Sequence, residues 1–261
     1  MISMMNRLEK IEEIRNKLNN NEVSIGSWMQ IPSSTVAEIM GHSGYDWVAI
    51  DMEHGAIGVV QLLDIFRALE LSNTLPLVRL ADGTVKDCKL ALDAGAGGVI
   101  IPMVENAKNL KALIDSCKWP PKGKRGVGFS RANLFGKFFE SYKKEAQNPI
   151  IIPMIENITA VENLDSILNV KGIDAIFIGP YDLSASLGIN GQFKHSDYIN
   201  TIKHITEHAK KLSIPVGIHV VEPIVNDLKL KIKEDYQLIA FSIDSVFLSK
   251  NSINPLLGEI K

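Results

Sequence analysis

Short apolar runs bounded by turn residues recur along the whole chain. Eight of these runs are almost continuously apolar, which is typical of parallel strands that are covered on both faces. They predict strands at Ser24–Trp28, Trp47–Asp51, Leu75–Leu80, Gly98–Met103, Ile150–Glu156, Ala175–Gly179, Pro215–His219 and Leu238–Asp244.

Segments with apolar residues at helical spacing separate most of these runs. They predict a helix within residues 1–22 and further helices at Ser33–Ser43, Val60–Leu71, Thr84–Ala94, Ala107–Ser116, Val161–Leu168, Tyr198–Leu212 and Pro223–Glu234. Eight strands with intervening helices predict one (β/α)8 TIM barrel over residues 1–261. The alternative, a doubly wound open sheet, usually has a glycine-rich phosphate loop after its first strand, and the segment GSWMQIPSS is not such a loop.

The connection between the fourth and fifth strands is unusually long. Residues 118–149 follow the predicted helix and contain no further strand pattern. Loops of this length in compact domains are usually functional. We therefore expect an insertion at the active site or at a subunit interface.

Composition and charge narrow the class of protein. Hydrophobic residues make up 46% of the chain, and the net charge is -2, so we expect neither nucleic acid nor an anionic membrane as a partner. No apolar run reaches 18 residues and no signal peptide precedes the barrel pattern. Cys88 and Cys117 show no metal-type spacing and are expected to be free thiols. Together these features favour a cytoplasmic protein.

Polar residues stand where the predicted strands end. In a barrel those ends line the active site, so the following residues are expected to converge on one mouth: Asp51, Glu53, His54, Arg79, Glu156, Gly179, Tyr181, Asp182, His219 and Asp244. Glu156 and Asp182 follow adjacent strands, and carboxylate pairs of this kind suit Mg, Mn or Co; the alternative is two ordinary surface acids.

Two further side chains at these ends carry chemistry. His54 is the best candidate for a general acid or base, because histidine titrates near neutral pH. Arg79 ends an apolar strand, so it is expected to bind an anionic substrate or to form an internal salt bridge. A metal bound beside a 2-oxo acid stabilises an enolate. No lysine ends a strand, which argues against the competing Schiff-base chemistry.

Several motifs occur together and in one order: GSW, DWVAIDMEHG, PLVRL, LDAGAGGVIIPMVENA, WPPKGKRGVG, PMIEN and GIDAIFIGPYDLSASLG. From about Ser24 to Asp244 the chain thereby resembles the HpcH/HpaI aldolases, which are class II pyruvate aldolases. The resemblance implies a TIM barrel of the phosphoenolpyruvate/pyruvate type, a divalent metal (Mg, Mn or Co), pyruvate as the nucleophilic substrate, and a homohexamer built as a trimer of dimers.

The resemblance also implies roles for individual residues. Glu156 and Asp182 match the metal ligands, and His54 matches the base. Asp93 matches an aspartate that pairs with this histidine across a subunit interface. Arg79 matches the arginine that holds the pyruvate enolate.

Further matches concern the surroundings of the metal and the substrate. Asp51 and Glu53 match acids that bind the waters of the metal, and the backbone at Gly179 and Tyr181 matches a turn that binds the substrate carboxylate. Three positions depart from the pattern. Met154 replaces a glutamine that contacts pyruvate, His219 replaces an apolar residue near the aldehyde, and Tyr181 replaces a small residue.

Three functions follow from this sequence. The favoured one is cleavage of a 4-hydroxy-2-oxo acid into pyruvate, or a related 2-oxo acid, and an aldehyde. The second is a related metal-enolate lyase that acts on oxaloacetate or on a 3-hydroxyacyl-CoA, for which Lys118, Lys122, Lys124 and Arg125 offer a weak basic groove. The third is a non-catalytic binding protein on the same fold.

Overall fold

Eight parallel strands close into a barrel in chain order in the computed structural model, which describes residues 6–254. The strands are β1 (Ser24–Met29), β2 (Trp47–Asp51), β3 (Leu75–Arg79), β4 (Gly98–Ile101), β5 (Ile150–Ile155), β6 (Ile176–Ile178), β7 (Val216–Val220) and β8 (Leu238–Ile243). Each of the predicted strands is confirmed to within two residues at either end. Because β1 pairs with β8, the sheet is closed, and the alternative of an open sheet is wrong.

Helices connect consecutive strands and cover the outside of the barrel. They are α1 (Arg7–Asn19), α2 (Ser34–Gly41), α3 (Val59–Leu71), α4 (Val85–Ala94), α5 (Ala107–Cys117), α6 (Phe139–Ala146), α7 (Ile158–Glu162), α8 (Leu164–Leu168), α9 (Pro180–Ser186), α10 (Ser196–Lys211), α11 (Val225–Lys233) and α12 (Asp244–Asn251). None of the helices described within residues 6–254 is long and apolar enough to cross a membrane.

The helix pattern departs from the sequence prediction in two ways. The helix predicted at Val161–Leu168 is two short helices, α7 and α8, which meet at Asn163. The sequence pattern also did not predict α6, α9 and α12, because the apolar stripe of each is too short to show a helical period. The predicted N-terminal helix is present as α1, although residues 1–5 of that prediction lie outside the described residues.

The barrel interior is filled by large side chains and does not form a pore. Trp28, Trp47 and Phe177 belong to this interior cluster. Gly26 on β1 makes room for it, because a Cβ at that position would lie 2.1 Å from the Trp47 indole. A second apolar layer lies between the strands and the surrounding helices.

Helix α1 closes the N-terminal end of the barrel. Ile11, Ile14 and Leu18 on one face of the helix join the interior cluster, where residues from the starts of the strands also lie. Ion pairs fasten the helix to the rim, among them Arg15 Nε to Asp174 Oδ1 at 2.6 Å. Because α1 closes this end, we expect the ligand site at the opposite end, where the carboxyl ends of the strands lie.

The insertion at residues 118–149 has a small core of its own. Trp119, Ala132, Tyr142 and Ala146 are buried together in it. Outside this core the insertion presents large apolar side chains to solvent, including Phe129, which is 74% exposed, and Phe135, which is 66% exposed.

Replacing a buried residue of α1 should destabilise the barrel far more than replacing an exposed residue of the same helix. We expect Ile14→Ala to lower the free energy of unfolding by about 2–5 kcal/mol, because it removes buried methyl groups and leaves a cavity. Asn16→Ala, on the exposed face of α1, should change it by less than about 0.5 kcal/mol. Urea unfolding monitored by circular dichroism provides the measurement. Equal midpoints for both variants would show that α1 does not stabilise the barrel.

Candidate active site

A single buried carboxylate organises the carboxyl ends of the first strands. Asp51, the last residue of β2, has no exposed surface. Its two oxygens accept hydrogen bonds from Arg79 Nε at 2.9 Å, from Arg79 Nη2, from Gln30 Nε2 at 2.9 Å and from the backbone N–H groups of Glu53 and His54 at 3.0 and 3.1 Å. A carboxylate offers about four lone-pair positions. Asp51 therefore has no acceptor position left for a ligand.

Arg79 is held by two carboxylates. Besides the pair of bonds to Asp51, its Nη1 lies 3.0 Å from Glu53 Oε2. Its guanidinium also lies 5.2 Å from the centre of the Trp28 ring. The internal salt bridge that the sequence left open is thus present, but it uses only three of the five N–H donors of arginine. Two donors remain for a substrate anion.

The charges at these strand ends shift one another's ionisation. Burial opposes the charge on Asp51, but the hydrogen bonds and the positive charge of Arg79 outweigh burial and lower the pKa of Asp51. Burial raises the pKa of Glu53, and the negative charges of Asp51 and Asp182 add to the increase, against the opposing effect of Arg79 and His54. The site therefore holds more negative charge than Arg79 alone can neutralise.

Glu156 is the most strongly perturbed acid of this group. It is 1% exposed, and its Oε1 accepts a hydrogen bond from the Met103 N–H at 2.6 Å, whereas its Oε2 is buried without a partner. Burial raises its pKa to about 7, and the charges of Glu53 and Asp182 contribute in the same direction. A Cβ at Gly179 would lie 2.6 Å from Glu156 Oε2. Glycine at that position therefore keeps the space in front of the unpartnered oxygen open.

Asp182 faces the same space from the next strand connection. It lies in the first turn of α9, is exposed, and contributes to the raised pKa values of both Glu53 and Glu156. Tyr181 beside it is 55% exposed and packs edge-on against Phe193, with ring centres 5.0 Å apart. The N–H of Gly179 is bonded to the Ile155 carbonyl at 3.3 Å. The first-turn N–H groups that follow it have no acceptor within the helix.

These carboxylates fit a hard divalent cation. An unpartnered buried oxygen on Glu156, next to carboxylates of the same sign, gains from a positive charge placed between them. Within residues 6–254, no group of three or more His, Cys, Asp or Glu side chains is arranged to hold a metal ion. A cation here could therefore take no more than two of these side chains as ligands.

His54 and Asp93 belong to different elements of the chain, the turn after β2 and helix α4. His54 is exposed at the mouth, on the turn whose backbone is bonded to Asp51. Asp93 is half-buried near the end of α4, and burial raises its pKa against the opposing charges of Arg125 and Lys89. No hydrogen bond joins the two side chains in residues 6–254 of the single chain.

Two of the three positions that depart from the aldolase pattern, Met154 and His219, lie inside the barrel. Met154 is 3% exposed and belongs to the interior cluster. His219 Nε2 donates to the Ser242 carbonyl at 3.0 Å, and its ring packs on Trp28 with centres 5.0 Å apart. Burial lowers the pKa of His219 to about 4. His219 is therefore neutral at physiological pH.

Sequence reasoning gave no role to three residues that shape this site. Gln30 contacts Asp51, Trp28 packs under Arg79 and His219, and Asp244 fixes the backbone of the loop that carries Gln30. Asp244 was expected at the mouth because it follows β8, but no pattern pointed to its partners. Gln30 stands outside every catalytic motif, so only the folded geometry reveals it.

Comparison with known proteins agrees with this geometry. The family model for HpcH/HpaI aldolase/citrate lyase matches residues 24–250. A hydroxypyruvate/pyruvate aldolase from Roseobacter denitrificans is 40% identical over 212 residues, covering 78% of this chain and 82% of that protein. A 5-keto-4-deoxy-D-glucarate aldolase from Salmonella newport is 35% identical over 224 residues, covering 85% and 87%.

A solved structure shares the whole architecture. The crystal structure of an HpcH/HpaI aldolase/citrate lyase family protein from Burkholderia cenocepacia superposes with a TM-score of 0.87 at 29% identity, covering 95% of this chain and 98% of that one. The similarity therefore extends over the barrel and the strand ends that carry the site.

The neutral state of His219 predicts how stability depends on pH. The pKa is about 4 in the folded protein, against an ordinary value of 6.5, so the unfolded chain binds the proton more readily in this range. The free energy of unfolding should fall as the pH decreases from 6.5 to 4, by up to about 3 kcal/mol from this residue. His219→Gln keeps an N–H donor for the Ser242 carbonyl and does not titrate, so it should lose less stability over the same range.

Urea unfolding between pH 7 and pH 4 measures this difference. His42→Gln is the matched control, because His42 is exposed on the surface and should leave the pH slope unchanged. Parallel pH profiles for wild type and His219→Gln would contradict the assignment of a buried neutral histidine.

Proposed function

The chain belongs to the HpcH/HpaI aldolase/citrate lyase family and is a carbon–carbon lyase, and we propose that it splits 4-hydroxy-2-oxo acids into pyruvate, or a related 2-oxo acid, and an aldehyde. One observation carries the proposal. The unpartnered oxygen of buried Glu156 lies at the same strand ends as Arg79, which keeps two donors free. A chelating, anionic 2-oxo acid is the small molecule that such a site would bind.

Glu156 and Asp182 are the proposed ligands of a divalent cation, Mg, Mn or Co. When bound, the cation supplies Lewis-acid stabilisation of negative charge on the keto oxygen of the substrate. Glu53 is held only through the ion pair of its Oε2 with Arg79, and it is the better candidate for binding water beside the cation. Asp51 is already occupied by five donors, and we assign it to positioning instead.

Arg79 and the start of α9 bind the anionic parts of the substrate in this proposal. The two unused N–H donors of Arg79 hold the oxygen that gains charge as the bond to the aldehyde carbon breaks. The first-turn N–H groups at Tyr181 and Asp182 bind the carboxylate of the 2-oxo acid. The two groups orient the 2-oxo acid with its third carbon towards the open mouth.

His54 is the proposed general base. It accepts the proton of the C4 hydroxyl as the C3–C4 bond breaks, which releases the aldehyde and leaves the bonding electrons on the 2-oxo acid fragment. Asp93 of a neighbouring copy orients His54 in this proposal, because the two side chains form no hydrogen bond within one chain. The assembly that we propose is a hexamer, arranged as a trimer of dimers.

Met154 and His219 shape the choice of substrate. Met154 is flexible and apolar and tolerates a donor larger than pyruvate, and the name of the Roseobacter relative pairs hydroxypyruvate with pyruvate. A neutral His219 stacked on Trp28 offers a polar ring edge without charge. We therefore propose pyruvate and hydroxypyruvate as the 2-oxo acid substrates and oxygenated aldehydes as their partners. The compartment that we propose is the cytoplasm.

Removing the metal should abolish cleavage, and its affinity should depend on pH in a defined direction. Glu156 has a pKa of about 7, so below pH 7 the cation must displace a proton. The association constant for Mn should fall about tenfold for each pH unit below 7 and level off above it. Isothermal titration calorimetry from pH 5.5 to 8 gives the constant, and Glu156→Gln should bind weakly without this pH slope. Full cleavage after exhaustive chelation would overturn the metal proposal.

His54 and Asp93 are expected to complement each other between subunits. His54→Ala should lower turnover by about 10²–10⁴-fold, the usual contribution of a general base. Asp93→Asn should lower turnover by less, because His54 remains. When the two variants are mixed under conditions that exchange subunits, some interfaces regain both groups, so activity should exceed the sum of the separate variants. Light scattering checks the assembly, and an active monomer would rule out the shared site.

A further inference from the structure

The loop after β1 is fastened to the start of α12 by one buried carboxylate. Asp244 is 5% exposed. Its oxygens accept hydrogen bonds from the backbone N–H groups of Gln30 and Ile31, both at 2.9 Å, and of Ser245 at 2.7 Å. Because two of these donors come from the opposite end of the chain, Asp244 fixes the backbone of Gln30 across the seam between β8 and β1.

The side chain of Gln30 has one possible orientation in this setting. Its Nε2 donates to Asp51 Oδ2 at 2.9 Å, and its Oε1 accepts from Ser245 Oγ at 3.3 Å. An ionised carboxylate only accepts hydrogen bonds, so Asp51 requires the amide nitrogen. The serine hydroxyl satisfies the other end of the amide.

The turn that carries His54 lies against the same loop. A Cβ at Gly55 would come within 2.3 Å of the Asp51 carbonyl oxygen and within 3.3 Å of the Gln30 Cα. Glycine is therefore needed for the turn to fold back on Asp51. Gln30 thus contacts both the carboxylate that holds Arg79 and the segment that presents His54.

We propose that Gln30, held by Asp244, is a positioning residue that acts through Asp51 on Arg79 and on the turn of His54. This inference rests on the proposed lyase function. Gln30 makes no contact with the reacting atoms in this proposal. Its amide and Arg79 Nη2 both donate to Oδ2 of Asp51. The amide thereby limits how far the guanidinium can rotate towards this oxygen.

Without this donor the guanidinium loses its fixed angle, although the ion pair persists. Gln30→Leu keeps the volume of the side chain and removes the donor. Since Asp51 retains its bonds from Arg79, Glu53 and His54, the variant should fold. We expect kcat to fall about ten- to hundredfold, because a hydrogen bond to a charged group is lost, while KM changes less than threefold.

The pH dependence of activity in Gln30→Glu distinguishes the positioning role from a purely structural one. The introduced carboxyl faces Asp51 from β2, Asp244 from α12 and, behind Asp51, the guanidinium of Arg79. Protonated, it donates to Asp51 as the amide did; ionised, it repels Asp51. At a saturating concentration of Mn, its activity relative to Gln30→Leu should therefore be high at low pH and fall as the pH rises.

The experiment compares the full-length variants Gln30→Leu and Gln30→Glu with Gln192→Leu and Gln192→Glu, whose parent side chain is exposed. Steady-state cleavage is measured from pH 5.5 to 8.5, and the Arg79 Nε–H resonance is followed by ¹H–¹⁵N NMR. Three results that are absent from the controls support the proposal. They are a fall in kcat, a loss of Gln30→Glu activity as the pH rises, and a shift of the Arg79 resonance. Values equal to the controls in kcat and in pH profile overturn it.

The NMR measurement separates failure of this inference from failure of the lyase function. If wild type shows no cleavage with any cation or aldehyde, the function is wrong, and an unshifted Arg79 resonance in Gln30→Leu then also overturns the positioning role. If wild type is active and the resonance does not move, only the positioning role fails.

Discussion

The site depends on the hydrogen bonds and the ion pair that compensate the buried carboxylate of Asp51. A fully buried charge is costly unless hydrogen bonds and an opposite charge compensate it, and here an arginine, an amide and two backbone N–H groups do so together. These partners come from three parts of the mouth: the end of β3, the loop after β1 and the turn after β2. Satisfying Asp51 therefore fixes Arg79, the loop after β1 and the turn of His54 in one arrangement.

The charges of the remaining acids, in contrast to that of Asp51, are not fully compensated. Burial raises the pKa values of Glu53 and Glu156, and repulsion between these acids and Asp182 raises both values further. Such repulsion costs stability, and proteins retain it where a ligand relieves it. The site is thus divided into a half built around Asp51, whose own oxygens are saturated, and an unsatisfied half around Glu156, and only the second half has capacity for a cation.

The sequence predicted the barrel well because eight buried strands leave eight apolar runs that no polar face interrupts. It also placed the acids and Arg79 at one mouth, since topology alone brings strand ends together. It did not predict Gln30 or the use of Asp244, because residues 30 and 244 meet only through closure of the sheet. The ionisation of His219 was likewise inaccessible, because it depends on burial against Trp28, which sequence spacing does not encode.

The hydrogen bonds between Asp244 and the loop after β1 can form only in the last step of barrel assembly, so the site is complete only then. Strands β1 to β7 can in principle pair in sequence as the chain emerges from the ribosome, but residue 244 joins them only when β8 has closed the seam. An unfinished or prematurely terminated chain would therefore carry Asp51, Arg79 and Glu156 without the carboxylate that fastens the loop after β1. Efficient turnover therefore has to wait for the last strand to close the barrel.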